Sequence, residues 1–285
     1  MSFFTKFFSE HRRNKQQKYY EQKHSDALRK AYLLDTETPF AITEAFRNLK
    51  ASLSVAIPKK EEGGISILST STFPEEGKTT ITVNLAQMFA TSNFKVVLID
   101  ADIRKGRVSK YFKDPHEPGL SDYLSGQAKL EEVLHQSKQN KNLYVIYQGT
   151  QSPRPYELLE SDAMKALSEE LKKQFDYIIY DTPPVELVSD ALALVPITDG
   201  ALLVCRYMRS YESDIKSSLD TLRFAKANVL GMVVNDFHVN PKKLKKNQQK
   251  YYYSYYSYGY GEADPEKDSK ITKKVPPPPP VFLNK

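Results

Sequence analysis

Apolar residues in the central part of the chain form short runs that alternate with stretches of helical periodicity. Between the short runs, apolar residues at helical spacing predict helices over Thr79–Ala90, Ala163–Lys173 and Ser213–Lys226. The same spacing predicts an earlier helix from Ile42 to Leu53. The short runs are typical of buried strands and comprise Ile65–Ser69, Val96–Asp100, Leu143–Tyr147, Tyr177–Asp181, Ala201–Cys205 and Val229–Asn235.

Strands and helices that alternate in this order predict βαβ units, in which a helix connects two parallel strands. The expected fold class is therefore α/β, with a doubly wound, mainly parallel sheet and helices on both faces. Residues 36–240 suffice for one such domain, because 40% of the chain is hydrophobic and can fill a substantial core.

The two ends of the chain differ from this central region in composition. Residues 1–35 form a basic segment, with eight Lys/Arg against three Asp/Glu in the first 30 residues. Its phenylalanines at positions 3, 4, 7 and 8 are spaced for a short amphipathic helix. Residues 241–285 contain a lysine run, a tyrosine run, an acidic stretch and the prolines 276–280. That composition cannot bury a core, so we expect a disordered tail. Its five prolines favour a polyproline II spacer or ligand, with a spacer as the default.

The net charge of +6 is concentrated in these ends, which indicates an acidic lipid, an acidic partner, nucleic acid or simply solvated termini. The core contains neither a recognition helix nor an aromatic RNA-binding strand, so no nucleic acid partner is expected. No apolar run reaches 18 residues, the first residues lack the order of a signal peptide, and Cys205 is the single cysteine. These features predict a cytoplasmic protein without disulfides.

The segment Thr72-Phe73-Pro74-Glu75-Glu76-Gly77-Lys78-Thr79 follows the first predicted strand and begins a predicted helix, which is the context of a Walker A loop. In such a loop, backbone N–H groups and the helix N-terminus hold phosphates. The loop predicts a P-loop NTPase fold with ATP and Mg²⁺ as cofactors. Lys78 is expected at the β- and γ-phosphates and the Thr79 hydroxyl at Mg²⁺. The predicted nucleotide-binding residues are Thr72, Pro74, Glu75, Glu76, Gly77, Lys78, Thr79 and Thr80.

Three aspartates follow or end predicted strands. Asp100 ends one strand, Asp102 lies two positions later, and Asp181 ends another. Ligands of an open parallel sheet bind beyond the carboxyl ends of its strands, so these carboxylates should converge beside the Walker A loop. Mg²⁺ prefers oxygen ligands, which makes Thr79, Asp100, Asp102 and Asp181 the predicted metal site. A carboxylate here is also able to orient an attacking hydroxyl.

Residues 36–240 resemble the bacterial tyrosine kinases encoded with capsule and exopolysaccharide genes, in the form whose transmembrane activator is a separate protein. The resemblance is carried by the Walker A loop, the Ile-Asp-Ala-Asp-Ile-Arg segment at 99–104, the apolar run ending in Asp181 and the tyrosine-rich end of the chain. It implies an ATP-dependent protein-tyrosine kinase that autophosphorylates in trans and regulates polysaccharide synthesis and export. Lys78, Asp100 and Asp102 are the implied catalytic residues, with Asp102 as base or metal ligand. The segment Pro153–Leu159 also resembles a family segment.

The resemblance also implies sites outside the nucleotide loop. A Glu–Arg–Arg pattern on the family's first helix builds contacts between subunits of a ring, and Glu44, Arg47 and Lys50 stand at that spacing here. The other implied partners are a transmembrane adaptor, which would recruit the chain to the inner face of the membrane, and a tyrosine phosphatase. The implied phosphorylation sites are the seven tyrosines Tyr251, Tyr252, Tyr253, Tyr255, Tyr256, Tyr258 and Tyr260.

Two departures from the family pattern bear on the function. Glu75 stands where the family has Gly after the loop proline, and a carboxylate facing the phosphates would weaken nucleotide binding. Lys50 replaces an arginine and lacks its planar fork for bidentate pairing.

Two alternative functions remain open on the sequence. Partitioning or septum-placement ATPases share the superfold, but they carry a lysine five residues before the catalytic lysine, where this chain has Phe73. They also lack the tyrosine tail. The second alternative is a regulatory nucleotide-binding protein in which Glu75 has abolished turnover.

Overall fold

The computed structural model describes residues 33–35, 38, 40–57, 63–112, 114, 117–236 and 281–283. Within these residues the chain forms nine α-helices and a 3-10 helix, Val195–Ile197. The helices are α1 (Phe40–Ala56), α2 (Lys78–Thr91), α3 (Ser109–Phe112), α4 (Leu120–Leu124), α5 (Leu130–Val133), α6 (Pro155–Glu160), α7 (Asp162–Gln174), α8 (Asp190–Ala193) and α9 (Glu212–Phe224). Among these described helices, none combines the length and apolarity needed to cross a bilayer.

The strands of the described residues form one sheet in the order β3-β4-β2-β5-β1-β6-β7-β8. Six central strands are parallel, and β3 and β8 are antiparallel at the two edges. The strands are β1 (Ile65–Ser71), β2 (Val96–Asp100), β3 (Leu134–Gln136), β4 (Leu143–Ile146), β5 (Tyr177–Asp181), β6 (Gly200–Arg206), β7 (Val229–Asn235) and β8 (Val281–Leu283). The predicted α/β class with a mainly parallel sheet is confirmed.

Both faces of the sheet are covered by helices, so its central strands β1, β2 and β5 are buried along their whole length. Strand β2 shows this alternation, because Val96 and Leu98 belong to one buried cluster and Val97 and Ile99 to the other. The first cluster includes Leu49 of α1 and apolar residues of α2. The second includes apolar residues of α6, α7 and α9. A buried cluster on each face of the sheet is what the predicted doubly wound arrangement requires.

The two antiparallel edge strands were not predicted from the sequence. Strand β3 has only three residues, none of them fully buried, so it carries no apolar pattern. Strand β8 lies in the segment predicted to be a disordered tail, where Val281–Leu283 pair with residues 232–234 of β7 and contact α1. The β7 edge offers unpaired backbone groups, and Val-Phe-Leu favours extended structure, which explains the pairing. Residues 241–280, with the tyrosines and prolines, and the phenylalanines of the N-terminal segment lie outside the described residues.

The parallel arrangement brings the carboxyl ends of β1, β2, β5, β6 and β7 to one edge of the sheet. The loop after β1 leads into α2 at this edge. Asp100 and Asp181 are register partners on neighbouring strands, and Asn235 ends β7. The fold therefore gathers the predicted chemistry at one place, as expected for an open parallel sheet.

Candidate active site

The loop between β1 and α2 has a backbone shape that depends on Gly77. Gly77 has a φ of +88°, which L side chains rarely adopt. A β-carbon at this position would lie 1.9 Å from the Asn235 side-chain nitrogen, which donates a hydrogen bond of 2.9 Å to the Glu76 carbonyl. Only glycine fits between the loop and the end of β7, so α2 begins at Lys78 with its first N–H groups open toward a ligand.

Glu76 holds the other side of this loop. Its carboxylate is buried and accepts hydrogen bonds from the Phe73 backbone N–H at 2.9 Å and from the Ser210 hydroxyl. Burial raises the pKa of Glu76, and these hydrogen bonds oppose that rise. Glu76 therefore shapes the loop from within.

Asp181 connects the first turn of α2 to the end of β5. The Lys78 ammonium and the Thr79 hydroxyl donate to its two carboxylate oxygens, each at 2.8 Å. Lys78 is 7% exposed and Asp181 is fully buried. The two residues predicted to meet phosphate and metal are thus anchored on one carboxylate, which confirms that these three predicted site residues lie together.

Asp100 lies beside Asp181 on the neighbouring strand. One of its oxygens accepts from the Val108 N–H at 3.0 Å, and its buried Oδ1 has no hydrogen-bond partner among the described residues. Burial, and then the Asp181 charge, raise the pKa of Asp100 well above its usual value. This unpartnered oxygen in a site with surplus negative charge is suited to a cation.

Asp102 lies in the loop after β2 and is partly exposed. Its Oδ1 accepts from the Lys105 backbone N–H at 3.0 Å. Burial raises the pKa of Asp102, while Lys78 acts in the opposite direction. A raised pKa makes this carboxylate a better proton acceptor than an ordinary aspartate.

The residues present fit Mg²⁺ as a cofactor. Three carboxylates share the site with one ammonium, and the donor set consists of carboxylate and hydroxyl oxygens. No three His, Cys, Asp or Glu residues of the described ranges are grouped closely enough to hold a metal ion alone. Mg²⁺ commonly takes only one or two protein carboxylates together with water and substrate phosphates, so this arrangement suits it.

The remaining loop residues take different places. Thr72 is buried and its hydroxyl oxygen has no hydrogen-bond partner among the described residues, whereas Pro74 is exposed. The Thr80 hydroxyl lies 2.6 Å from the Tyr111 hydroxyl of α3. Tyr111 therefore borders the first turn of α2, a neighbour that no sequence pattern indicated.

Glu75 points away from the loop interior, which resolves the question that its identity raised. It has a φ of +64°, its side chain is 61% exposed, and its Oε2 lies 3.2 Å from the Arg209 guanidinium. Arg206 also donates to the Glu75 carbonyl at 3.3 Å. The left-handed backbone explains why glycine suits this position, and the outward ion pair shows that the carboxylate does not occupy the phosphate site.

Several neighbours of the loop were missed by sequence reasoning. Arg206, which ends β6, and Arg209 and Ser210, which follow it, contact the loop, and Asn235 closes it. Asn235 ends a predicted strand, so the strand-end rule that identified the aspartates was sufficient to find it. Arg209 and Ser210 lie in the loop after β6, which has no recognisable pattern.

Two further predicted regions lie away from the carboxylates. On α1, Glu44 and Arg47 form an ion pair with each other, while Lys50 donates to the Ser92 hydroxyl at 2.6 Å within the same chain. The Pro153–Leu159 segment enters α6, whose first residue is Pro155, and Arg154 before it is exposed. The seven tyrosines predicted as phosphorylation sites lie outside the described residues.

We predict that Glu75→Gly changes ATP affinity by no more than about twofold. Glycine relieves a left-handed strain on the order of 1 kcal/mol, whereas loss of the exposed ion pair costs about 0–1 kcal/mol, so the gain and the loss in loop stability nearly cancel. Glu76→Ala is the matched comparison and should weaken binding about tenfold, because it leaves buried donors unpaired. Titration with a fluorescent ATP analogue measures both, and marked tightening by Glu75→Gly would show that Glu75 faces the phosphates.

Asp100→Asn should raise the melting temperature of the nucleotide-free protein at pH 7. An acid whose pKa is raised by folding destabilises the folded state as the pH rises above its unfolded value, and the neutral amide avoids this. The gain should be about 2–4 °C for each kcal/mol relieved, and it should disappear near about pH 4, where the unfolded carboxyl becomes protonated. Asp220→Asn, on exposed α9, should show no gain, and an unchanged or lower value for Asp100→Asn at pH 7 would contradict the argument.

Comparison with known proteins adds an independent line of evidence. The AAA domain family model matches residues 76–211. The tyrosine-protein kinase YwqD of Bacillus subtilis is 34% identical over 218 residues, which cover 76% of this chain and 89% of that kinase. A putative tyrosine-protein kinase in the cps region of Klebsiella pneumoniae is 34% identical over 211 residues, or 74% of this chain and 29% of that protein. The solved kinase domain of the Escherichia coli tyrosine kinase ETK matches with a TM-score of 0.63 and 34% identity, covering 70% of this chain and 78% of that domain.

The range matched by the family model contains Lys78, Thr79, Asp100, Asp102 and Asp181. The chain spans between 26% and 29% of the length of several curated relatives, but nearly all of the Bacillus subtilis kinase. Identity of about a third over more than two hundred residues, together with the shared fold, shows common ancestry with these kinases. The chain belongs to the bacterial tyrosine-protein kinase family.

Proposed function

We propose that the chain is a protein-tyrosine kinase that uses ATP and Mg²⁺ and phosphorylates the tyrosine cluster of a second copy. The observation that supports this most directly is the shared anchoring of Lys78 and Thr79 on Asp181, with Asp100 alongside. That cluster presents an ammonium, a hydroxyl and buried carboxylates at a helix N-terminus, which are the groups that phosphoryl transfer requires.

The reaction assigns a separate task to each of these groups. The N–H groups at the start of α2 and the Lys78 ammonium bind and orient the β- and γ-phosphates. When bound, Mg²⁺ offsets the negative charge of the phosphate oxygens, and Thr79, Asp100 and Asp181 are the residues that would hold it. Asp102 accepts the proton of the substrate tyrosine hydroxyl while the tyrosine oxygen bonds to the γ-phosphorus. The bond from that phosphorus to the bridging oxygen breaks, and ADP leaves.

The position of Glu75 favours turnover over a purely regulatory role. A carboxylate among the phosphates would have opposed the charge of the nucleotide, but Glu75 instead pairs with Arg209 outside the loop. Septum-placement ATPases carry a lysine at the position that Phe73 occupies here, so this chain lacks their characteristic residue. Family membership and the tyrosine cluster both support the kinase.

The substrates and partners belong to the same proposal. Seven tyrosines within residues 251–260 supply acceptor hydroxyls, and the Klebsiella relative in a cps region supports a role in capsular or exopolysaccharide synthesis and export. We propose that a transmembrane adaptor recruits the chain to the inner face of the membrane through its basic N-terminal segment. A tyrosine phosphatase would return the tail to its unmodified state.

Lys78→Met should abolish phosphorylation of the tyrosine cluster while the protein stays folded, because the developing charge on the phosphates loses its cation. Asp102→Asn should also abolish it, through loss of the proton acceptor. The measurement is anti-phosphotyrosine detection on the full chain with Mg-ATP, with circular dichroism as the folding check. Lys141→Met, at an exposed position, is the control and should be labelled like the wild type. Equal labelling of Lys78→Met and wild type would exclude this active site.

We also propose that the unmodified chain forms a ring through α1. Each phosphotyrosine adds about −1.5 to −2 charges, so seven would reverse the charge of a tail that has five lysines within residues 241–250. Repulsion between such tails would loosen the ring. Arg47 is the most available member of the predicted contact, because Lys50 is bonded to Ser92 within its own chain.

Arg47→Ala should therefore lower the sedimentation coefficient of the unphosphorylated protein more than Lys50→Ala does. Asn48→Ala, at the exposed neighbouring position, should leave sedimentation unchanged. Changing all seven tyrosines to Phe should hold the protein in the larger species during incubation with ATP. Identical sedimentation of the phosphorylated and unphosphorylated forms at low and physiological salt would reject the ring model and leave the kinase proposal intact.

A further inference from the structure

A run of basic residues directly follows Asp102 at the edge of the candidate active site. Residues 104–110, here named the basic loop, carry four Lys/Arg and no Asp or Glu. Arg104 is committed to a bidentate pair with buried Asp190, at 2.7 and 3.0 Å. The side chains of Lys105, Arg107 and Lys110 are exposed, and no described carboxylate forms an ion pair with them. The carboxylate of Glu157 on α6 also interacts electrostatically with Arg104.

The backbone of the basic loop is fixed against the catalytic carboxylates. The Lys105 N–H donates to Asp102 and the Val108 N–H donates to Asp100, both at 3.0 Å. A β-carbon at Gly106 would lie 2.6 Å from an Asp100 oxygen and 1.6 Å from the Gln148 side chain, so the loop is tightly packed there. The exposed cations are therefore held at a defined place, within a few residues of the proposed base.

Arg107 marks the side of the site on which these cations lie. Burial raises the pKa of the Tyr111 phenol, and the charge of Arg107 is close enough to oppose that rise. The Tyr111 hydroxyl in turn contacts Thr80 in the first turn of α2. The basic loop thus borders the nucleotide end of the site from the β2 side.

The sequence of the chain contains a segment of opposite charge at a matching distance. Beyond the last clustered tyrosine, Tyr260, residues 262–268 carry four acids and one lysine, whereas residues 241–250 before the cluster carry five lysines and no acid. An extended chain advances about 7 Å in two residues. A tyrosine placed at Asp102 would therefore bring residues two or more positions later over the basic loop, which begins two residues after Asp102.

We propose that the basic loop is a docking surface for the acidic segment that follows the substrate tyrosines, with residues 262–268 of a second copy as its occupant. This rests on the proposed kinase function and adds the charge and direction of the substrate: acids C-terminal to the tyrosine. Lys105, Arg107 and Lys110 are then specificity-determining residues. Asp102 has a different role, as the proton acceptor for the substrate tyrosine hydroxyl.

The test uses two peptides spanning residues 255–268, one native and one with Gln or Asn in place of the four acids. The enzyme is the full chain with its seven tyrosines changed to Phe, so that only the peptide is labelled. At low salt the native peptide should have a KM about three- to tenfold lower, as expected for a few exposed charge pairs. The ratio should shrink toward one as salt screens the charges. The triple change Lys105→Gln, Arg107→Gln and Lys110→Gln should remove the preference.

A charge exchange makes the test independent of any general damage to the loop. Changing Lys105, Arg107 and Lys110 to Glu should invert the preference toward a peptide with lysines at positions 262, 264, 266 and 268. The control changes Lys129, Lys141 and Lys216 to Glu, which alters the net charge equally at exposed positions outside the loop. This control should keep the wild-type preference for the native peptide.

Peptide binding, followed by fluorescence anisotropy, separates this inference from the proposed function. Tighter binding of the native peptide without phosphorylation of either peptide would support docking and contradict the kinase proposal. Phosphorylation of both peptides with equal KM and equal affinity would overturn docking and leave the kinase standing. A loop variant that raises the KM for ATP as much as the KM for the peptide would also overturn it, since the cations would then serve the nucleotide.

Discussion

The structure of the active site depends on the carboxylate of Asp181. It is buried at the end of a central strand and accepts from both Lys78 and Thr79 at 2.8 Å. These bonds fix the first turn of α2 relative to the sheet, and through that turn they fix the phosphate-binding N–H groups. A buried carboxylate is tolerable only with such partners, so the fold of the sheet and the geometry of the helix terminus stabilise each other.

The same site carries more negative charge than its lysine balances. Asp100 neighbours Asp181 in register, and burial and that charge raise its pKa. A core selected for stability alone would not contain two adjacent buried carboxylates, since the desolvation of each is costly. The arrangement is understandable when a cation and a nucleotide are part of the folded state, because their binding then offsets the cost.

The sequence was sufficient for the features that depend on repeating patterns. Apolar runs in the sequence predict all six parallel strands. The rule that ligands bind at strand carboxyl ends predicts the positions of Asp100 and Asp181 from the sequence alone. The outward direction of Glu75 was not predictable, because it depends on Arg209, which is 134 positions away in the chain. The edge strands β3 and β8 were missed because three residues are too few for a period to appear.

The departure at Glu75 is tolerated because the loop is held from two sides. Its backbone is left-handed at Glu75 and at Gly77, and only the glycine adopts that conformation without strain. On one side Asp181 holds the start of α2. On the other, the end of β6, the segment after it and the end of β7 hold the loop through Arg206, Ser210 and Asn235. These contacts reach the backbone and the buried Glu76 rather than the Glu75 carboxylate, so they determine the loop's shape whichever residue stands at position 75. The family glycine is therefore a means of lowering strain at this position, and its replacement leaves the phosphate-binding geometry in place.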